Sequence, residues 1–154
     1  MSPRSIGHDL VRNAPALHRD LAVAPAVGRI IESDLPALPV VDDRRRLCGI
    51  FGEREFMAAL FPGYVRELGY AGFVPRRLDD ALAKRAACAA EPIAKHMNTE
   101  HIDVGEDFSD VEVAETFLHH PVLIVPVTRD RRVVGVITRS DFFHRLAKRL
   151  IDVL

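Results

Sequence analysis

The apolar positions of the chain change period several times, and each change marks an element. In SDVEVAETFLHH (109–120), Val111, Val113, Ala114, Phe117 and Leu118 fall mostly at helical spacing behind a serine able to cap. VLIVPVT (122–128) is an apolar run of strand length, RDRR is a turn, and VVGVI (133–137) is the returning strand of a hairpin. SDFFHRLAKRLIDVL then predicts a helix with Phe142, Leu146, Leu150 and Ile151 on one side. Residues 101–104 predict a short strand ahead of all this, so the order is strand, helix, strand, strand, helix. Earlier in the chain PALPVVD, DRRR, RLCGIF and EREFMAALF give the same hairpin followed by a helix.

The likeness extends to the residue level. Laid over each other without a gap, 10–40 and 97–127 put Pro39 on Pro126, 87 positions apart, Asp20 on Asp107 and Val40 on Val127. Val27, Ile30, Ile31 and Leu35 meet Ala114, Phe117, Leu118 and Val122. One residue drops out in the next turn, after which Gly49 meets Gly135, 86 apart, Phe56 meets Phe142, and Leu60 meets Leu146. Such internal repetition is a statement about the whole fold. It divides the chain into a first copy at 8–61, a connector at 62–92 and a second copy at 93–154. Glycines and prolines break the first half of the connector, and RLDDALAKRAACAA predicts a short helix. It is longer than an ordinary connection. Packing on the surface accounts for it, with a dimer or partner contact as the sharper alternative.

Composition narrows the classes. The hydrophobic fraction of 48% supports a core, and a formal net charge of -1 argues against a general polyanion binder. No apolar run approaches the roughly 20 residues needed to cross a membrane, and the first residues lack a secretory pattern. Two cysteines, Cys48 and Cys88, form no CxxC, so a cytoplasmic protein with reduced thiols is expected, with Cys48 in the core.

The most suggestive stretch is GVITRSDFF (135–143). Thr138 precedes a helix and Asp141 follows three residues later, close to a capping box. The threonine oxygen would accept from an orphan amide, and the carboxylate suits the positive helix end. The same geometry suits a ligand: helix-start amides and a hydroxyl favour phosphate, a carboxylate can take both hydroxyls of a ribose, and Gly135 permits close approach. Both roles stay open on the residues alone. The first copy differs, with Gly52 in place of Thr138 and Glu55 in place of Asp141.

LPVVDDRRRLCGIFGEREF and VPVTRDRRVVGVITRSDFF together resemble the paired motifs of tandem CBS domains, often called a Bateman module. The resemblance implies an α/β fold of two β-α-β-β-α repeats packed about a pseudo-twofold axis. It also implies clefts between them that bind adenosine compounds (AMP, ADP, ATP, S-adenosylmethionine), a homodimer and a regulatory rather than catalytic role. Carried over by residue, it implies phosphate contact for Thr138 and ribose contact for Asp141. Ser140 and Val136 would line the same turn, and Arg139 would add charge toward a polyphosphate. Pro15 and Leu35 would close the base pocket of that cleft. Ile102 and Val122 would do the same for a second cleft at Gly52 and Glu55, expected to be weak, empty or differently occupied.

Other constellations carry less. His119 and His120 are adjacent and so diverge on a helix, whose negative end they suit, and no metal spacing is present. His96, His101 and His144 complete the histidines of the second copy, and a histidine-based metal hydrolase is the remote third reading. Arginines crowd both hairpin turns, Arg44, Arg45 and Arg46 and then Arg129, Arg131 and Arg132. Solvated turns explain them, and an anionic partner or the ligand's phosphates is the sharper reading. Nucleic acid is disfavoured because no aromatic-rich basic sheet is evident. No nucleophile–base motif, P-loop or GxGxxG occurs, and neither a catalytic residue nor a cofactor is expected. The alternative to a nucleotide sensor is a ligand-free scaffold for dimerisation and for an unknown protein partner.

Overall fold

The computed structural model of the protein describes residues 5–62, 77–100 and 102–154. The broken first half of the connector and His101 lie outside the described residues. The first repeat contains β1 (Leu17–His18), α1 (Val23–Ser33), β2 (Ala37–Val41), β3 (Leu47–Gly52) and α2 (Glu53–Leu60). A helix α3 (Leu78–Arg85) runs into a 3-10 turn at Ala86–Ala90 and leads to the second repeat. That repeat contains β4 (Val104–Gly105), α4 (Asp110–His119), β5 (Ile124–Arg129), β6 (Arg132–Thr138) and α5 (Arg139–Val153).

The two halves reproduce each other down to register. β1 pairs parallel to β2 with Leu17 opposite Val40, and β4 pairs parallel to β5 with Val104 opposite Val127. β2 runs antiparallel to β3 with Pro39 opposite Ile50, and β5 antiparallel to β6 with Pro126 opposite Val136. Each long pair slips register at the same point, after Val40 and after Val127. β2 and β5 are buried along nearly their whole length, which is why they read as continuous apolar runs rather than alternating ones. The sheets share one core, with Leu17, Leu38 and Phe51 from one side and Ile124, Val125 and Ile137 from the other. Each such side chain stabilises the fold by about 2 kcal/mol on burial.

The repeats are tied by exchanged lead-in segments. Arg12 bridges to Val136 of β6 through two backbone hydrogen bonds of 2.8 and 2.9 Å. Asn98 does the same to Ile50 of β3 at 2.9 and 2.8 Å. A Cβ at Gly135 would lie 2.5 Å from Val11 Cγ1, and one at Gly49 would lie 2.8 Å from the Asn98 oxygen. The repeated glycine thus makes room for the other repeat's lead-in strand. At Gly135 the close approach foreseen for a ligand is made by the chain itself.

The local helix-end signals hold in the second repeat. Ser109 caps α4, accepting from the Glu112 amide at 3.1 Å. His119 ends α4 with His120 as its C-cap. Among the described residues of the strand expected at 101–104, pairing begins at Val104 and continues to Gly105. Cys48 is half-buried, its thiol donating to the Val40 oxygen at 3.4 Å. The apolar side of α5 splits: Phe142 is buried against Phe117, whereas Leu146, Leu150 and Ile151 are 47%, 58% and 68% exposed. No helix among the described residues is long and apolar enough to cross a membrane.

Candidate functional site

β6 ends at Thr138, whose side chain is buried and caps α5 by accepting from the Asp141 amide at 3.0 Å. The Arg139 amide donates to the Leu123 oxygen at 2.9 Å, so two of the first three helix amides are already engaged. Asp141 does not complete a capping box. Its carboxylate is gripped by Arg12, with Nε on Oδ2 at 2.7 Å and Nη2 on Oδ1 at 3.0 Å. The guanidinium reaches it because the backbone bridge to Val136 fixes Arg12 over the end of β6. The opening threonine therefore caps, while the aspartate faces the other repeat. Both ions remain partly solvated, at 48% and 25% exposure.

The remaining predicted residues scatter around this pair. Arg139 and Ser140 are exposed, and Val136 is fully buried beneath the Arg12 strand. Ser140 shares a groove of about 530 Å³ with Leu35, Gly52 and Phe56, so one predicted cross-repeat neighbour meets the start of α5. Pro15 is exposed and lies outside that groove's lining.

The corresponding junction of the first repeat differs. A Cβ at Gly52 would stand 2.3 Å from Ala37 Cβ and 2.5 Å from the Pro36 oxygen, so no threonine fits there. Burial pushes the Glu55 carboxyl up, against the opposing influence of its own amide, the Gly52 amide and Arg54. Glu55 lines a cleft of about 770 Å³, with Arg54, Phe61, His96, Asn98 and Pro121. Ile102 and Val122 are not in its lining; they are 2% and 3% exposed and belong to the core. Their near neighbours Glu100 and Pro121 face the cleft instead. His96 Nε2 is buried there without a hydrogen bond among the described residues, 3.5 Å from Glu91 Oε1.

Sequence reasoning missed Arg12, Asn98 and Pro121. Only the lead-in exchange brings Arg12 to Asp141, 129 positions away, and no local period reports that. It also missed the one described cluster with metal-like spacing, His18, Asp20 and Asp43, which is largely exposed. There His18 Nδ1 accepts from the Asp20 amide at 3.1 Å, which leaves its Nε2 the proton that it donates to Asp43 at 2.6 Å.

The CBS domain family model matches residues 6–62 and 93–148. The chain belongs to the CBS domain family, as a tandem pair. CBS pairs are typically regulatory modules. Among solved structures, the chain is similar to the CBS domain pair of protein MJ0100 in complex with 5′-methylthioadenosine and S-adenosyl-L-methionine. That match has 23% identity, 96% coverage of this chain, 99% of that one and a TM-score of 0.68. It is also similar to CBSX2 in complex with AMP, at 17% identity, 95% and 98% coverage and a TM-score of 0.66. A CBS domain-containing protein of unknown function from Kribbella flavida matches at 23% identity, 92% and 97% coverage and a TM-score of 0.63. At these identities the likeness is one of fold.

Proposed function

We propose that this CBS pair is a regulatory sensor that takes an adenosine compound between its repeats, at the start of α5. The observation carrying the proposal is the Asp141 carboxylate, turned to the other repeat and held by a two-pronged guanidinium rather than used as a helix cap. A ribose diol presents two donors to a carboxylate much as a guanidinium does. The ligand would take Asp141 by its ribose and release Arg12 to its phosphate, with Thr138, Arg139 and Ser140 beside that phosphate. Freed from Asp141, Arg12 would loosen one tie between the repeats, which supplies the difference between two states that a regulatory ligand needs. AMP and S-adenosylmethionine, bound by the structural relatives above, are the first compounds to try. The change in packing is what a partner would read, and no catalysis is assigned to the paired repeats. Two free thiols fit a reducing, cytoplasmic setting.

A thermal-shift series with AMP, ADP, ATP and S-adenosylmethionine tests this. A ligand at 100 times its Kd stabilises by about 2.7 kcal/mol, a readable rise in melting temperature. One adenosine compound should raise it, Asp141→Ala should abolish the rise, and Glu55→Ala should retain it. No rise with any compound overturns the reading.

A second reading has its own support. Phe143, Leu146 and Leu150 are exposed along α5, at 62%, 47% and 58%, which fits a homodimer or a docked protein partner. As a ligand-free scaffold, the protein would dimerise through this face with Arg12–Asp141 as a permanent tie. Sedimentation of wild type and Leu146→Lys/Leu150→Lys decides that: a dimer that becomes monomeric supports it, and a monomeric wild type ends it.

A further inference from the structure

The arginines of the two hairpin turns converge. Arg46 forms an antiparallel bridge with Arg132, and the Leu47 amide donates to the Arg131 oxygen at 2.9 Å. Arg46 and Arg132 stand 86 positions apart, the spacing of the repeat, so they are equivalent residues facing each other across the pseudo-twofold axis. Within the second hairpin Arg132 is also directly opposite Arg129. Opposed residues of antiparallel strands put their side chains on one face. Arg129 and Arg132 on β5 and β6, and Arg46 just before β3, therefore occupy adjacent registers, an arrangement that like-charge repulsion disfavours.

These residues line a pocket of about 610 Å³, with Arg44, Asp130 and Val134 completing its wall. That size lies in the range of small-molecule sites. Counter-charge is partial. Glu106 pairs with Arg129 at 2.7 Å and Asp42 with Arg46 at 3.2 Å, and neither acid is part of the lining. The guanidinium groups of Arg44 and Arg132 have no carboxylate partner among the described residues. The lining thus sets four guanidinium groups against the single carboxylate of Asp130. Guanidinium groups match phosphate oxygens in pairs, and a shared anion removes the repulsion among them.

We propose that this axial pocket is a binding site for a compact anion carrying two or more phosphate groups. It is separate from the Asp141 junction, since Arg132 and Thr138 open and close the same strand, about 20 Å apart at strand rise. A small anion fits better than nucleic acid because the charge is confined to a pocket on a chain of formal net charge -1.

Calorimetric titration of inorganic pyrophosphate into the intact chain tests the site. Wild type should bind pyrophosphate, and a loss read at Arg132 and Arg44, far from Asp141, keeps this result independent of the adenosine reading. Arg132→Gln should weaken binding about tenfold or more, the loss expected of one charged hydrogen-bonding partner. Arg44→Gln, in an exposed turn, should weaken it in the same direction. Without anion, Arg132→Gln should melt no lower than wild type, since it removes a repelled charge. Absence of binding, an equal response to sulfate at matched ionic strength, or unchanged affinity in both variants overturns the proposal. Displacement of pyrophosphate by a tighter-binding 20-nucleotide RNA also overturns it, in favour of a nucleic-acid surface.

Discussion

Arg12 holds both carboxylate oxygens of Asp141 while its own backbone is paired to Val136, three residues before the helix that carries the aspartate. One residue of the first repeat thus joins the strand and the helix start of the second. The ion pair is partly solvated, and exposed pairs contribute only about 0–1 kcal/mol, so a ligand displaces it at small cost. If ribose takes Asp141 and phosphate takes Arg12, Arg12→Ala separates the two. Adenosine, which has no phosphate, should bind Arg12→Ala at least as tightly as wild type. AMP should lose its advantage over adenosine, about tenfold for one charged contact. Calorimetry with both ligands on both proteins measures it, and an unchanged AMP-to-adenosine ratio removes Arg12 from the phosphate site.

The two helix starts are not interchangeable, and packing gives the reason. Gly52 lies against Ala37 and the Pro36 oxygen with no room for a Cβ, although its extended backbone would admit any residue. Gly52→Thr should therefore destabilise the fold, by about 1–3 kcal/mol for overpacking, rather than create a second hydroxyl site. Thr138→Ala should cost about 1 kcal/mol for the lost cap, and Thr138→Ser should recover most of it. Urea midpoints of the three variants check this. A Gly52→Thr protein as stable as wild type would mean that β2 and β3 separate more easily than their contact implies.

The fold was legible in the sequence because both repeats carry the same periods and the same glycine. The cap was legible because Thr138 and Asp141 are near neighbours in the chain. What escaped depends on contacts between distant segments. Gly135 reads as space for a ligand until Val11 and Arg12 are seen to fill it. Ile102 and Val122 read as cleft lining because they flank it in sequence, yet the chain turns them inward and presents Glu100 and Pro121. The arginines of the turns read as solvated charge until the axis brings Arg46 against Arg132.

The lead-in strand that supplies Arg12 is anchored by Asp110 at the first turn of α4. Its carboxylate accepts from the Ser5 hydroxyl at 2.6 Å, the Gly7 amide at 2.8 Å and the Ile6 amide at 2.9 Å. Burial pushes the Asp110 carboxyl up, but the Ser5 hydroxyl and the Gly7 and Ile6 amides prevail and hold it below the ordinary aspartate range. A lowered value means that its stabilisation is present above 3.8, the ordinary value, and is lost as pH falls through the folded value. Asp110→Asn should cost about 1–2 kcal/mol at neutral pH and flatten that acid limb. Limited trypsin digestion should cut faster after Arg12 in the variant; equal rates would mean that the lead-in is held without Asp110.

Glu55 should behave in the opposite sense. Burial raises its carboxyl above the ordinary 4.5, so the folded state favours the protonated form. The stabilisation from that proton is complete below the ordinary glutamate value and fades as pH rises through the raised folded value. Glu55→Gln replaces the charged form with a neutral isostere and should melt higher than wild type at pH 7, with the gap closing toward pH 4. The cleft beside it contains His96, whose Nε2 is buried without a hydrogen bond among the described residues, and Arg54, whose charge opposes the upward shift. Melting curves of both proteins from pH 4 to 8 decide the sign. If Glu55→Gln instead lowers the melting temperature at pH 7, the carboxylate is stabilised in the cleft by its charge, and the first repeat would have its own ion-dependent helix start in place of the missing hydroxyl.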